Sequence, residues 1–156
     1  IAGFGAAAAR ACTLPDAARL TLLRDRLERR LRAACPSAPV FGTAAPRLPN
    51  TTCIAMPGVA AETQVIAFDL AGIAVSAGAA CSSGRVARSN VLAAMAIGDD
   101  LASSAIRVSL GWTTGEADVE RFLAVWTNVY ARMAGRGPAL AGDGTATAIF
   151  GAVSER

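Results

Sequence analysis

Ile106, Val108 and Leu110 alternate with Arg107 and Ser109 over residues 105–110, and a period of two describes one element: a β-strand with one face in a core and the other outside it. A strand needs partners and a layer over its apolar face. Residues 51–56, closed by Pro57-Gly58, and residues 73–76 are expected to supply strands, with a short one at Val40-Phe41. Leu20, Leu23, Leu27 and Leu31 recur at spacings of three and four after Pro15, with arginines between, and predict an amphipathic helix that stops before Pro36 and Pro39. Residues 61–70 read as a helix with Val65, Ile66 and Leu70 on the buried side and Gly72 placed to cap its end. Residues 89–95 read as a short helix. Thr113-Thr114-Gly115-Glu116 has capping-box spacing, Thr113 serving the third helical amide while Glu116 reaches back, and the helix continues through Val119, Phe122, Leu123, Trp126, Val129, Tyr130 and Met133. Residues 1–11 carry the small side chains of a helix packed close to a neighbour. The order helix, strand, helix, strand, helix, strand, helix predicts an α+β layer, a small sheet covered by helices on one side, with strand direction left open.

At 156 residues and 53% apolar content the chain suits one globular domain, burying roughly 68–70% of its unfolded surface. The net charge of +3 does not indicate nucleic acid, because the basic residues are scattered and the cluster over residues 19–32 is interrupted by Asp25 and Glu28, as on a solvated helix face. All fifteen basic residues are arginine, and histidine is absent. Cys12, Cys35, Cys53 and Cys81 are widely spaced, with no Cys-x-x-Cys pair, so no metal site built from this chain alone is expected. Residues 1–9 lack a basic leader, and no apolar run reaches the roughly 18 residues of a membrane span. No membrane is expected, and a cytoplasmic location is. The chain opens at Ile1, as a piece of a longer one would.

Two residues carry chemistry. Cys81 lies in Ser76-Ala77-Gly78-Ala79-Ala80-Cys81-Ser82-Ser83-Gly84, a loop of small residues after an apolar strand, where a sulfur is reachable and can travel between a donor and an acceptor. A free thiol with a pKa of about 8.5 is only a few per cent ionised at pH 7, and Arg85, Arg88 and the start of the helix at Ser89 are placed to stabilise its anion. Cys12, Cys35 and Cys53 are expected to be buried structural residues. Arg107, charged in the middle of an alternating strand, must face water or meet an anion, and its planar fork suits a carboxylate.

In order and spacing, several segments resemble the C-terminal third of the cysteine desulfurases: Arg47-Leu48-Pro49-Asn50-Thr51, Met56-Pro57-Gly58, Asp69-Leu70-Ala71-Gly72-Ile73-Ala74-Val75-Ser76, the Cys81 loop, Asn90-Val91-Leu92 and Ile106-Arg107-Val108-Ser109-Leu110-Gly111. These are pyridoxal-phosphate (PLP) enzymes of fold type I in the class V aminotransferase family, and the likeness covers roughly residues 1–133. It implies that Cys81 takes sulfur from L-cysteine as a persulfide while L-alanine is released, and that Arg107 binds the substrate carboxylate. It implies residues 1–14 as the end of an interdomain helix and 15–134 as a C-terminal small domain with its active-cysteine loop at 76–88; from Gly135 the pattern dissolves into Gly, Ala, Thr and Ser, which predicts a flexible tail over 135–156. It also implies a homodimer, an iron–sulfur scaffold or sulfur-carrier protein as acceptor, and Cys81 as a transient iron–sulfur ligand on that scaffold. Departures are Ala77 and Ala79 where serines are common, and Asn90 where a histidine often stands. PLP is held in such enzymes by a lysine Schiff base. This chain has no lysine, so no residue of it is expected to bind the cofactor, which belongs to a large domain absent here, and the chain alone is expected to be inactive. Two alternatives stay open: another class V aminotransferase-type PLP enzyme, which explains the arginine strand but not the cysteine loop, and a stand-alone thiol carrier or interaction module.

Overall fold

The leucine stripe after Pro15 does form a helix. In the computed structural model, which describes residues 1–11, 17–78 and 89–133, α1 spans Ala2–Ala11 and α2 Ala17–Ala34, with Leu23, Leu27 and Leu31 buried. Next come β1 (Val40–Phe41), β2 (Thr51–Ala55), α3 (Ala61–Leu70), β3 (Ser76–Ala77), α4 (Asn90–Ala94), α5 (Asp99–Ser103), β4 (Ala105–Ser109) and α6 (Glu116–Met133). The four strands form one sheet in the order β1-β2-β4-β3, every neighbouring pair antiparallel. This is the α+β layer expected, with strand direction now fixed.

Alternation assigns the faces. Ile54, Ile106 and Val108 point toward α2, α3 and α6, where Phe68 stacks on Phe122 with centroids 4.9 Å apart and Trp126 on Tyr130 at 5.4 Å. Trp126 and Phe68 are fully buried. The opposite face is not bare throughout: Leu92 of α4 and Leu101 and Ala102 of α5 pack over Phe41, Ala55 and Ala105 at one end. The cover is therefore two-sided there, where one side was expected.

Local details depart from the sequence reading for identifiable reasons. Helix α3 buries Ala61, Gln64 and Phe68, whereas Ile66 and Leu70 are 61% and 85% exposed. A polar residue hid the true stripe, and Gln64 is tolerated inside because its Nε2 donates to the carbonyls of Val59 and Ser104, each at 2.8 Å. The end of α3 is as expected: Gly72 takes φ 71°, its N–H reaches Asp69 O at 2.8 Å, and Ile73 N–H reaches Phe68 O at 2.9 Å. Pairing at β3 is confined to Ser76 and Ala77, while Ile73 and Val75 only pack on the core. The cap of α6 sits two residues later than expected. Gly115 precedes the helix, Asp118 Oδ2 accepts its N–H at 2.9 Å, and Thr114 Oγ1 instead accepts the N–H of Gly111 at 2.8 Å. Helix α6 ends at Met133, which is 44% exposed. Helix α5 was not anticipated, although Asp99 and Asp100 in its first turn are a helix-start signal. The expectation of a tail at 135–156 lies outside the described residues.

Candidate active site

The residues that place Arg107 are themselves polar. Asn50 accepts the Leu110 N–H at 2.8 Å and returns its Nδ2 to Leu110 O at 3.1 Å, fixing β2 against β4 one residue beyond the strands. Three residues earlier, Arg47 grips Glu28 of α2 with both nitrogens, at 2.7 and 3.1 Å, and Arg24 donates to Leu48 O at 2.7 Å. The side chain of Glu28 is only 5% exposed. Burial would raise its carboxyl, but Arg47, together with Thr52 and the charge of Arg24, outweighs that and holds it below the ordinary glutamate value. The Arg47-Leu48-Pro49-Asn50 run is thus a brace that sets the register of the sheet, a role the sequence alone did not disclose.

That register lines up Phe41, Cys53, Arg107 and Ser76 as one row across all four strands. The row lies on the face turned away from α2, α3 and α6. Arg107 is exposed at its centre, and among the described residues its guanidinium has no hydrogen bond and no ion pair. Its cross-strand neighbours, Cys53 and Ser76, carry no charge. Cys53 is half-buried, not the fully buried residue expected, and burial pushes its thiol up while the charge of Arg107 partly offsets the shift. Cys35 is buried as expected.

Cys81, Arg85, Arg88 and Cys12 lie outside the described residues. What is described is the support on either side of the Cys81 segment. Ser76 and Ala77 pair with Arg107 and Ile106, Gly78 follows at φ 52°, and at the other end Ser89 Oγ caps α4 by accepting the Leu92 N–H at 3.3 Å. Three peptide links separate Gly78 from Cys81, a covalent reach of about 10–11 Å between Cα atoms. The arrangement offers a cation for an anionic ligand beside the strand that leads to the thiol. Among the described residues no group of His, Cys, Asp and Glu could hold a metal ion, and no helix is long and apolar enough to cross a membrane.

Comparison with known proteins agrees with this frame. The family model "Aminotransferase class-V" matches residues 4–122. A cysteine desulfurase of Cereibacter sphaeroides is 44% identical over 125 residues, covering 80% of this chain and 32% of that protein. One from Sinorhizobium fredii is 39% identical over 144 residues, covering 91% and 37%. Among solved structures, a NifS-like protein from Rickettsia africae superposes with a TM-score of 0.63 at 32% identity, over 73% of this chain and 29% of that one. The chain spans about a third of the length of the relatives it matches.

Proposed function

The chain belongs to the class-V aminotransferase family, and on that premise we propose that it is the sulfur-accepting, C-terminal part of a cysteine desulfurase. The observation that carries the reading is Arg107, without a hydrogen bond or ion pair among the described residues, at the centre of the row and next to the strand that runs into the Cys81 segment. Arg107 holds the carboxylate of L-cysteine by a two-point hydrogen bond. Cys81, as thiolate, receives the substrate sulfur. Overall, Cys81–SH and L-cysteine give Cys81–SSH and L-alanine: the carbon–sulfur bond breaks, a sulfur–sulfur bond forms, carbon is reduced by two electrons and sulfur oxidised by two.

Breaking that bond leaves an electron pair on carbon, and delocalising it is the chemistry PLP supplies when bound. The residues present do not fit the cofactor. With fifteen arginines and no lysine, the chain offers no side-chain amine for a Schiff base. We assign PLP to a large domain outside these residues, and the chain alone to an inactive state. Within the assembled homodimer, which we place in the cytoplasm, residues 1–14 close an interdomain helix and 15–134 form the small domain. Its persulfide passes to an iron–sulfur scaffold or another sulfur carrier, on which Cys81 is a transient ligand.

The test is an exchange. The matching part of the Cereibacter sphaeroides relative is replaced by this chain, and alanine and sulfide are followed with L-cysteine under reductant. The exchanged enzyme is expected to turn over, and its Cys81→Ser form to bind PLP yet release no sulfide. Sulfide release at the parental rate from Cys81→Ser would remove Cys81 from the mechanism, and loss of activity in Cys12→Ser with Cys81 intact would point to a different acceptor.

A further inference from the structure

An arginine on a central strand is stabilised by an acid across the strand, since residues directly opposite bring their Cβ atoms to about 4.5–5.5 Å. Off the sheet, arginines of this chain do meet acids: Arg47 meets Glu28, Arg24 meets Asp25, and Arg26 and Arg30 share Glu120. Among the described residues Arg107 meets none. The register puts Cys53 on one side and Ser76 on the other, neither able to neutralise a guanidinium at pH 7. Beyond Cys53 the row is closed by Phe41, and the next row, Ala55 and Ala105, is roofed by α4 and α5. On its β2 side Arg107 is bordered by the sulfur of Cys53.

We propose that Cys53 lines the Arg107 seat: paired with Arg107 across β2 and β4, its neutral thiol leaves the guanidinium charge without a counter-charge among the described residues, so that a carboxylate drawn to Arg107 comes to rest against the Cys53 sulfur. The inference rests on the reading of Arg107 as a carboxylate seat and adds a lining residue to it. Burial pushes the Cys53 thiol up, with the charge of Arg107 partly offsetting the shift, so it lines the seat as a neutral group.

Iodoacetate and iodoacetamide test this on the chain itself. Both alkylate the thiolate, forming a sulfur–carbon bond as iodide leaves and the thiol proton goes to solvent, and they differ only in carboxylate against amide. Their rate ratio at one cysteine therefore cancels the thiolate fraction. Measured by mass spectrometry of the Cys53 peptide, the iodoacetate to iodoacetamide ratio is expected to fall about tenfold in Arg107→Ala, as for loss of one charge-assisted hydrogen bond. Arg107→Lys should restore part of it. In the unaltered chain, about 1 M salt should lower the ratio, because screening then acts over about 3 Å. Cys35, in the core on the other side of the sheet, is the reference, and its continued protection reports that each variant is folded. A Cys53 ratio unmoved by both Arg107→Ala and salt overturns the proposal. Since sulfur transfer to Cys81 does not enter the assay, failure of the functional reading would show in the exchange experiment and not here.

Discussion

The two faces of the sheet are built from alternate residues of the same strands and behave as different materials. On the inner face Ile54, Ile106 and Val108 meet Phe68, Phe122 and Trp126 in a buried apolar layer. One residue along each strand, the outer face presents Cys53, Arg107 and Ser76, small or charged, with no internal partner for the charge among the described residues. Stability therefore resides in one set of alternate positions and ligand chemistry in the other. A shift of register by one residue would exchange the two, which is why the Asn50–Leu110 clasp and the Arg47–Glu28 pair matter so much to a site they do not touch.

The contrast breaks most easily from the inner side. Trp126→Ala empties a fully buried position between α6 and the sheet, and should lower unfolding free energy by about 3–5 kcal/mol in a denaturant titration, enough to unfold a marginal domain. A cost under about 1 kcal/mol would mean that the inner layer is not packed as described. Next in size is the brace. Glu28→Gln leaves Arg47 without its counter-charge, and because the Arg47 side chain is 19% exposed the loss should be about 2–3 kcal/mol, at or below the range for a fully buried pair. The pH dependence sharpens this. Glu28 has a folded pKa below its ordinary value, so its contribution is present above the unfolded pKa of about 4.3 and disappears as pH falls through the folded pKa. Unfolding free energy measured from pH 7 down to pH 3 should decline less steeply in Glu28→Gln than in the parent; parallel curves would show that Glu28 titrates normally.

Much of this organisation could be read from residues close together in sequence. The bounds of α3 and β1 fall where spacing and punctuation put them, and the alternation over 105–110 already turned Arg107 outward. What escaped depends on contacts between distant segments. Gln64 looks like a surface residue until Val59 and Ser104 bring it two carbonyls. Cys53 alternates with the buried Thr52 and Ile54, so its outward face was within reach, but its place beside Arg107 needed the pairing of β2 with β4, 54 residues apart along the chain (107 − 53). The cap of α6 moved because Thr114 satisfied Gly111 instead, a choice made by the loop after β4.

Division of labour between the faces is tested most directly at Arg107, which belongs to the outer face alone. In the exchanged enzyme, Arg107→Ala should lower kcat/KM for L-cysteine by roughly 10- to 150-fold, the equivalent of about 1.5–3 kcal/mol for a lost charged hydrogen-bond pair. In the same variant of this chain, unfolding free energy should stay within about 0.5 kcal/mol of the parent, as for an exposed residue. Unchanged kcat/KM would make Arg107 an ordinary surface arginine, and a large loss of stability would show that the outer face carries the fold after all.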